Sequence, residues 1–190
     1  HTLALGHEIA DHMWEHHVPA DPAMEDDHFM KTVRAFEQTL GQRVVGSRSR
    51  HSNRLLRREG YPHNSHGSSD HLPHYTHDGK GNTVLNLPFH YAIDDAMFYS
   101  MSWLGSPIMA QRISDTDRVE EMWWQGFLQQ YRKGGYLNVC LHPFVSGRAQ
   151  RSDMLERLIH RMQAMPGVWF PTCEEVARHV IATHPPKGGW

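Results

Sequence analysis

Apolar positions recur at helical spacing in several stretches. Phe29, Val33, Phe36 and Leu40 predict a helix from about Asp21 to Leu40. Val119, Met122, Trp123 and Phe127 fall on one side of a second, Asp115 to Arg132, which Gly134-Gly135 ends. Ser152 to Met162 is amphipathic, and Thr172 with Glu175 three residues on forms a capping box that opens a last helix to about Ala182. Ser52 caps a short helix through Glu59, and Gly6 ends an element at Thr2 to Leu5 that Glu8-Ile9-Ala10 follows. Short apolar runs predict strands at Arg43-Val44-Val45, stopping at Gly46, and at Val84 to Leu87, ended by Pro88. Others are Phe89 to Ile93, Tyr136 to Leu141 before His142-Pro143, and Val168-Trp169-Phe170. Tyr61 to Asn82 has no period and is expected to be a loop that shapes a pocket or an oligomer contact. The strand–helix rhythm of the last third argues for an α/β fold with parallel strands. Residues 1–183 form the expected domain, and 184–190 a frayed tail.

Composition narrows the classes. At 190 residues the chain buries roughly 70% of its unfolded surface, enough for one core. Hydrophobic residues at 39% and charged residues at 21% are globular proportions. A net charge of −2 argues against nucleic acid or an anionic membrane as partner. Cys140 and Cys173 make no disulfide framework; two free thiols, with no spanning run and no signal-peptide pattern, point to the cytoplasm. Histidine stands out at 17 residues, which invites metal or proton chemistry.

Four constellations carry that chemistry. His12 and His16 lie four apart, so a helical turn brings both rings to one face, able to bind one ion. By spacing alone they serve equally as surface or core histidines. His142 stands at the C-terminal end of a predicted parallel strand, where such folds build active sites. Asp94-Asp95 is either a solvated turn or a carboxylate pair that orients a histidine or an arginine. Arg48, just past a strand end, either holds a carboxylate ionised or is a solvated loop residue. The residues leave two other classes open. One is a non-catalytic metal- or carbohydrate-binding barrel with an ion site at His63, His66, His71, His74 and His77. The other is a copper oxidase clamping its metal with His1, which the helix-rich C-terminal half opposes.

Taken in order, the constellations resemble a family. GHEIADHMWEH resembles the histidine motif of the polysaccharide deacetylase (NodB-like) superfamily, with Met13 where Ser or Thr is usual. VVGSRSR, AIDDAMFY and LHPFVSGR resemble its third, fourth and fifth motifs, although Arg50 stands where proline is typical. The DDAxFY and LHPxxxGR forms resemble the subgroup of allantoinase-like, cyclic-imide-hydrolase and intracellular peptidoglycan-deacetylase-like enzymes. The resemblance implies a distorted (β/α)7 barrel and a metal-dependent hydrolase of a non-peptide C–N bond, its substrate a sugar amide or a small molecule such as a cyclic imide or allantoin. It implies a divalent metal, zinc by preference, on His12 and His16. It makes His142 the general acid, oriented by Asp94 or Asp95, and pairs Arg48 with the catalytic base. Arg148, after Gly147, is expected to reach a substrate carbonyl or carboxylate. The family opens with a strand bearing two aspartates, the base and the third ligand; Asp11 and Asp21 do not stand in a matching context, so both are expected from outside these 190 residues.

Overall fold

The computed structural model of the chain describes residues 1–67, 69–99 and 114–186. In chain order its elements are a 3-10 turn at Leu3–Leu5, β1 (Ala10–Asp11), α1 (Pro22–Leu40), β2 (Gly46–Ser47), α2 (Asn53–Arg58), β3 (His63–Asn64), β4 (His74–His77) and β5 (Thr83–Asn86). A 3-10 turn at Tyr91–Ile93 follows, then α3 (Ala96–Tyr99), α4 (Thr116–Arg132), α5 (Pro143–Ser146), α6 (Ala149–Gln163) and α7 (Cys173–Thr183). The chain divides into two units, His1–Pro88 with Pro171–Trp190, and Phe89–Phe170. No helix among the described residues is long and apolar enough to cross a membrane.

The first unit is built on a five-stranded sheet in the order β1-β2-β3-β5-β4, parallel except for β4. The α/β class is as the sequence leads one to expect, but the parallel strands lie in this unit and not in the last third, whose rhythm pointed to them. Local chemistry sets the helix ends. The Asp21 carboxylate accepts from the Ala23 and Met24 amides, Pro22 needs no donor partner at the first helical position, and Gly41 closes α1 at φ 71°. Ser52 caps α2 in the same way. Phe29 and Val33 of α1 bury against Leu55 and Leu56 of α2, Val44, Tyr61 and Val84. Each such side chain contributes about 1.5–3 kcal/mol on burial. Truncating fully buried Leu55 to Ala costs about 2–5 kcal/mol.

Two expectations for this unit need correction. The strand predicted at Arg43–Val45 lies a step later, at Gly46–Ser47. Val44 is buried in the core, but ladder pairing with β1 and β3 begins only where Gly46 sits opposite Ala10 and His63. A Cβ at Gly46 would lie 2.5 Å from Glu8 Oε1 and 2.6 Å from His63 Cε1, so the close approach needs glycine. Tyr61 to Asn82 is not a structureless loop, since it holds β3 and β4. β3 is two polar residues long, and β4 carries no apolar alternation because its histidines and threonine face other polar groups. Asp78 closes the β4–β5 hairpin by accepting from the Lys80 and Asn82 amides.

In the second unit α4 packs on α6, with Val119, Trp123 and Phe127 against Met154, Leu158 and Met162. Trp123 Nε1 donates to the Ala92 carbonyl at 3.0 Å, so the ring satisfies its one polar atom while its body fills the core. Buried Glu120 is held by Arg157 and Arg161 of α6. Met122 lies on the outer face of α4, 44% exposed, and is not part of the apolar side expected for it. The predicted strand Tyr136–Leu141 reduces to one parallel bridge, Cys140 to Asp94. Phe89–Ile93 is not a strand either: Tyr91–Ile93 forms a 3-10 turn, because the His90 ring accepts from the Ala92 amide and turns the chain. Val168–Phe170 makes no strand; Trp169 and Phe170 stand more than half exposed. α6 begins at Ala149, three residues ahead of the predicted Ser152. α7 opens on the predicted capping box, Thr172 with Glu175. Of the expected tail, residues 187–190 lie outside the described residues, and His184 caps α7 with its amide on the Val180 carbonyl.

Candidate active site

The second unit places His142 directly after the Cys140 bridge, as the residue that caps α5. Its ring Nδ1 lies 2.6 Å from Asp95 Oδ1, and its backbone amide donates to Asp95 Oδ2 at 2.9 Å. Ser146 Oγ donates to the same Oδ2 at 2.5 Å. Asp95 is wholly buried, and its own amide donates to the Cys140 carbonyl at 3.1 Å. A buried carboxylate with three donors on it stays in place, and it fixes the ring it grips. The choice between the two aspartates is thereby resolved in geometry. Asp94 Oδ1 stands 4.0 Å from the ring and accepts from the Ala96 amide at the start of α3. A cavity of about 420 Å³ opens beside His142, lined by Leu141, Ser146, Leu155, Glu156, Ile159 and His160 among others. That volume suits a small ligand. Arg148 does not line it: its Nε donates to the Phe144 carbonyl at 3.4 Å.

In the first unit His12 and His16 come together, with ring centroids 4.7 Å apart at 84°. The helical turn expected to do this is absent. Residues 12–17 run in irregular bends, with Met13 at φ 68° and His16 at φ 52°. Left-handed backbone is strained at such residues, and the Met13 amide is held by donation to Asp11 Oδ1 at 3.0 Å. Asp11, buried at the end of β1, also accepts from Ser47 Oγ, and its carbonyl accepts the Arg48 amide at 2.7 Å. One buried carboxylate therefore anchors both the histidine bend and the start of the Arg48 segment. His12 Nδ1 lies 2.5 Å from the Arg48 carbonyl, and the Arg48 guanidinium donates to the Ser65 carbonyl at 2.6 Å.

These residues fit a divalent cation as two of its ligands. A carbonyl on Nδ1 fixes the tautomer that leaves Nε2 with a lone pair, the arrangement metal-bound histidines adopt. Two imidazoles are donors that zinc accepts. Among the described residues, Asp94, Cys140 and His142 form the one group of three or more potential ligands gathered within 4.8 Å, so no third such residue joins His12 and His16. Nor do the histidines of 63–77 form such a group. His63 is buried against Glu8, His74 turns to the Leu72 carbonyl and His77 to Thr83. His66 is held below the usual imidazole range by burial and by the Arg50 and Arg48 cations.

Several residues escaped the sequence reading. Ser146, four positions after His142, completes the grip on Asp95, and its place one helical turn on from His142 inside LHPFVSGR is the signal that points to it. Asp11 has no matching context in the sequence, yet it is the anchor of the histidine bend. Glu8, inside the GHE motif, lies 3.4 Å from buried His63 and accepts the Glu174 amide at the start of α7. Burial pushes its carboxyl up, but the His63 ring and the Glu174 and Cys173 amides outweigh this and hold it below the ordinary range.

Known proteins share this architecture. No family model matches the chain. A peptidoglycan deacetylase of Helicobacter pylori (strain ATCC 700392 / 26695) is 24% identical over 218 aligned positions, taking in 96% of this chain and 73% of the relative. A solved protein of Mycobacterium smegmatis, assigned to the polysaccharide deacetylases, superposes with a TM-score of 0.84 at 28% identity over 96% of this chain. The crystal structure of Puue allantoinase follows at a TM-score of 0.81 and 26% identity over 97% of the chain. The chain spans 65% and 62% of the length of these two solved structures. Fold and motif order define the class as a mixed-sheet α/β protein of deacetylase type. In sequence and fold the chain is similar to members of the polysaccharide deacetylase (NodB-like) superfamily.

Proposed function

We propose that the chain is the catalytic part of a metal-dependent hydrolase of a non-peptide C–N bond, acting on an N-acetylated sugar. The observation that carries this is the double grip of Asp95 on His142, with Ser146 behind it. It supplies a histidine fixed through Nδ1, so that Nε2 is the nitrogen to pass a proton, which amide cleavage needs at the leaving nitrogen. The reading draws on residues of both units, and it rests on each unit's own geometry and on the superfamily order of the motifs.

A divalent cation, zinc by preference, supplies the polarisation of the amide carbonyl and the acidification of water. His12 and His16 would hold it, with the Arg48 carbonyl fixing the His12 tautomer. With Asp95 on Nδ1, His142 presents Nε2–H to the departing nitrogen, and the carboxylate stabilises the ring while it is charged. Arg48, anchored at the end of β2, is assigned the steadying of the base, and Arg148 a substrate carbonyl or carboxylate. No residue matched here fills the base and third-ligand roles. Cys140 and Cys173, neither of them in a disulfide, support a cytoplasmic setting, and the net charge of −2 supports a substrate other than nucleic acid.

A cyclic-imide or allantoin-type substrate is the second reading, favoured by the likeness to Puue allantoinase. Parallel assays with an N-acetylated sugar oligomer and a cyclic imide or ureide separate the two. Acetate release from the oligomer alone supports the deacetylase, and ring opening alone supports the second reading. Activity that survives metal chelation with His12→Ala and His16→Ala would remove the metal from both.

A further inference from the structure

Cys140 takes no part in the proposed reaction, yet it stands among the residues that do. Cys140 and His142 are two positions apart on an extended segment, so their side chains leave the same face. Asp94 is the bridge partner of Cys140 on the neighbouring segment, which sets its carboxylate beside them. The three offer a carboxylate oxygen, a thiol sulfur and an imidazole nitrogen, all within 4.8 Å of one another. In a tetrahedral zinc site, donors at about 2.0–2.3 Å from the ion stand roughly 3.3–3.8 Å from each other. Closing the group on an ion therefore needs about 1–1.5 Å of side-chain movement and the release of His142 Nδ1 from Asp95. Thiolate, imidazole and carboxylate together select zinc, cadmium or cobalt over magnesium or calcium.

We propose that Asp94, Cys140 and His142 form an inhibitory site for a thiophilic divalent cation, zinc or cadmium, and that its occupancy withholds His142 from proton transfer. On binding, the Cys140 thiol releases its proton to solvent and the thiolate bonds the ion. His142 Nδ1, 4.0 Å from Asp94 Oδ1, gives up to solvent the proton it shares with Asp95 and turns its lone pair to the ion in place of that contact. A ring metallated on Nδ1 cannot become the imidazolium whose Nε2–H the leaving nitrogen requires. The ligands are not those of the His12–His16 pair, so occupancy of this group is separate from occupancy of that pair. The inhibitory half rests on His142 as proton donor; the binding half does not.

Cadmium titration of the full chain tests the binding by the ultraviolet charge-transfer band of a cadmium thiolate. A saturable band is expected in the unaltered protein and in Cys173→Ser. Burial pushes the Cys173 thiol up to about 11, so it remains protonated and serves as the control. The band is expected to vanish in Cys140→Ser and Cys140→Ala and to need about tenfold or more cadmium in His142→Ala. No band in the unaltered protein, or an undiminished one in both Cys140 variants, overturns the site. With hydrolysis as readout, excess zinc is expected to inhibit the unaltered enzyme at a concentration about tenfold or more below that for Cys140→Ser. Equal inhibition of the two, or none of either, overturns the inhibitory half. A chain that hydrolyses nothing removes the proposed function while the cadmium band still decides the site.

Discussion

Asp95 holds His142 at two points, the ring Nδ1 at 2.6 Å and the backbone amide at 2.9 Å, from the two oxygens of one buried carboxylate. Position and tautomer are thus set by the same group. Replacing that carboxylate by an amide keeps the volume but puts a donor where an acceptor is needed. Asp95→Asn is expected to lower kcat by about 10²–10⁴-fold with KM little changed, measured by steady-state hydrolysis. Ser146→Ala removes one donor to Asp95 and is expected to lower kcat in the same direction by less.

Gly46 sits where β1, β2 and β3 meet, with Glu8 and His63 filling the space a side chain would take. The Glu8 oxygen and the His63 ring are both buried, so neither can swing away into water. Gly46→Ala is expected to destabilise the fold by about 1–3 kcal/mol, read as a lower midpoint in denaturant.

His51 lies buried between Asp11 Oδ2 at 3.8 Å and Glu25 Oε1 at 3.6 Å, with the Phe29 ring packed edge-on at 5.0 Å. Burial is the larger influence and lowers its pKa, against the two carboxylates that raise it, while His28 adds to the lowering. The folded state then binds fewer protons here than the unfolded chain. Stability from this group is present above the unfolded imidazole value of about 6.5 and is lost as pH falls below it. Unfolding midpoints taken from pH 7.5 down to 5.5 are expected to fall, and to fall less in His51→Gln (pH window about the unfolded value).

Much of the helical framework was legible because its causes are local. Asp21, Ser52, Asp115 and Thr172 cap α1, α2, α4 and α7 where a side-chain oxygen precedes an amphipathic run. The strands were harder. β3 is two polar residues, His63 buried and Asn64 half-buried, whose pairing depends on neighbours about 17 and 22 positions away, which no local period records. Tyr136–Leu141 carries the apolar composition of a strand, but only Cys140 finds a pairing partner. In the site, the approach of His12 to His16 was legible from spacing. Its cause was not, since left-handed Met13 and His16 held by Asp11 replace the helical turn. The Asp94–Asp95 pair was legible as a unit. Which carboxylate meets the ring depends on Ala96 drawing Asp94 away, a contact made only after folding.

The most direct test of the central claim compares turnover of the zinc-loaded chain and its His142→Ala variant on an N-acetylated sugar oligomer, followed as acetate release. The account predicts hydrolysis by the unaltered chain and a loss of about 10²–10⁴-fold in the variant, with the fold intact by circular dichroism. Turnover by His142→Ala equal to that of the unaltered chain would contradict it.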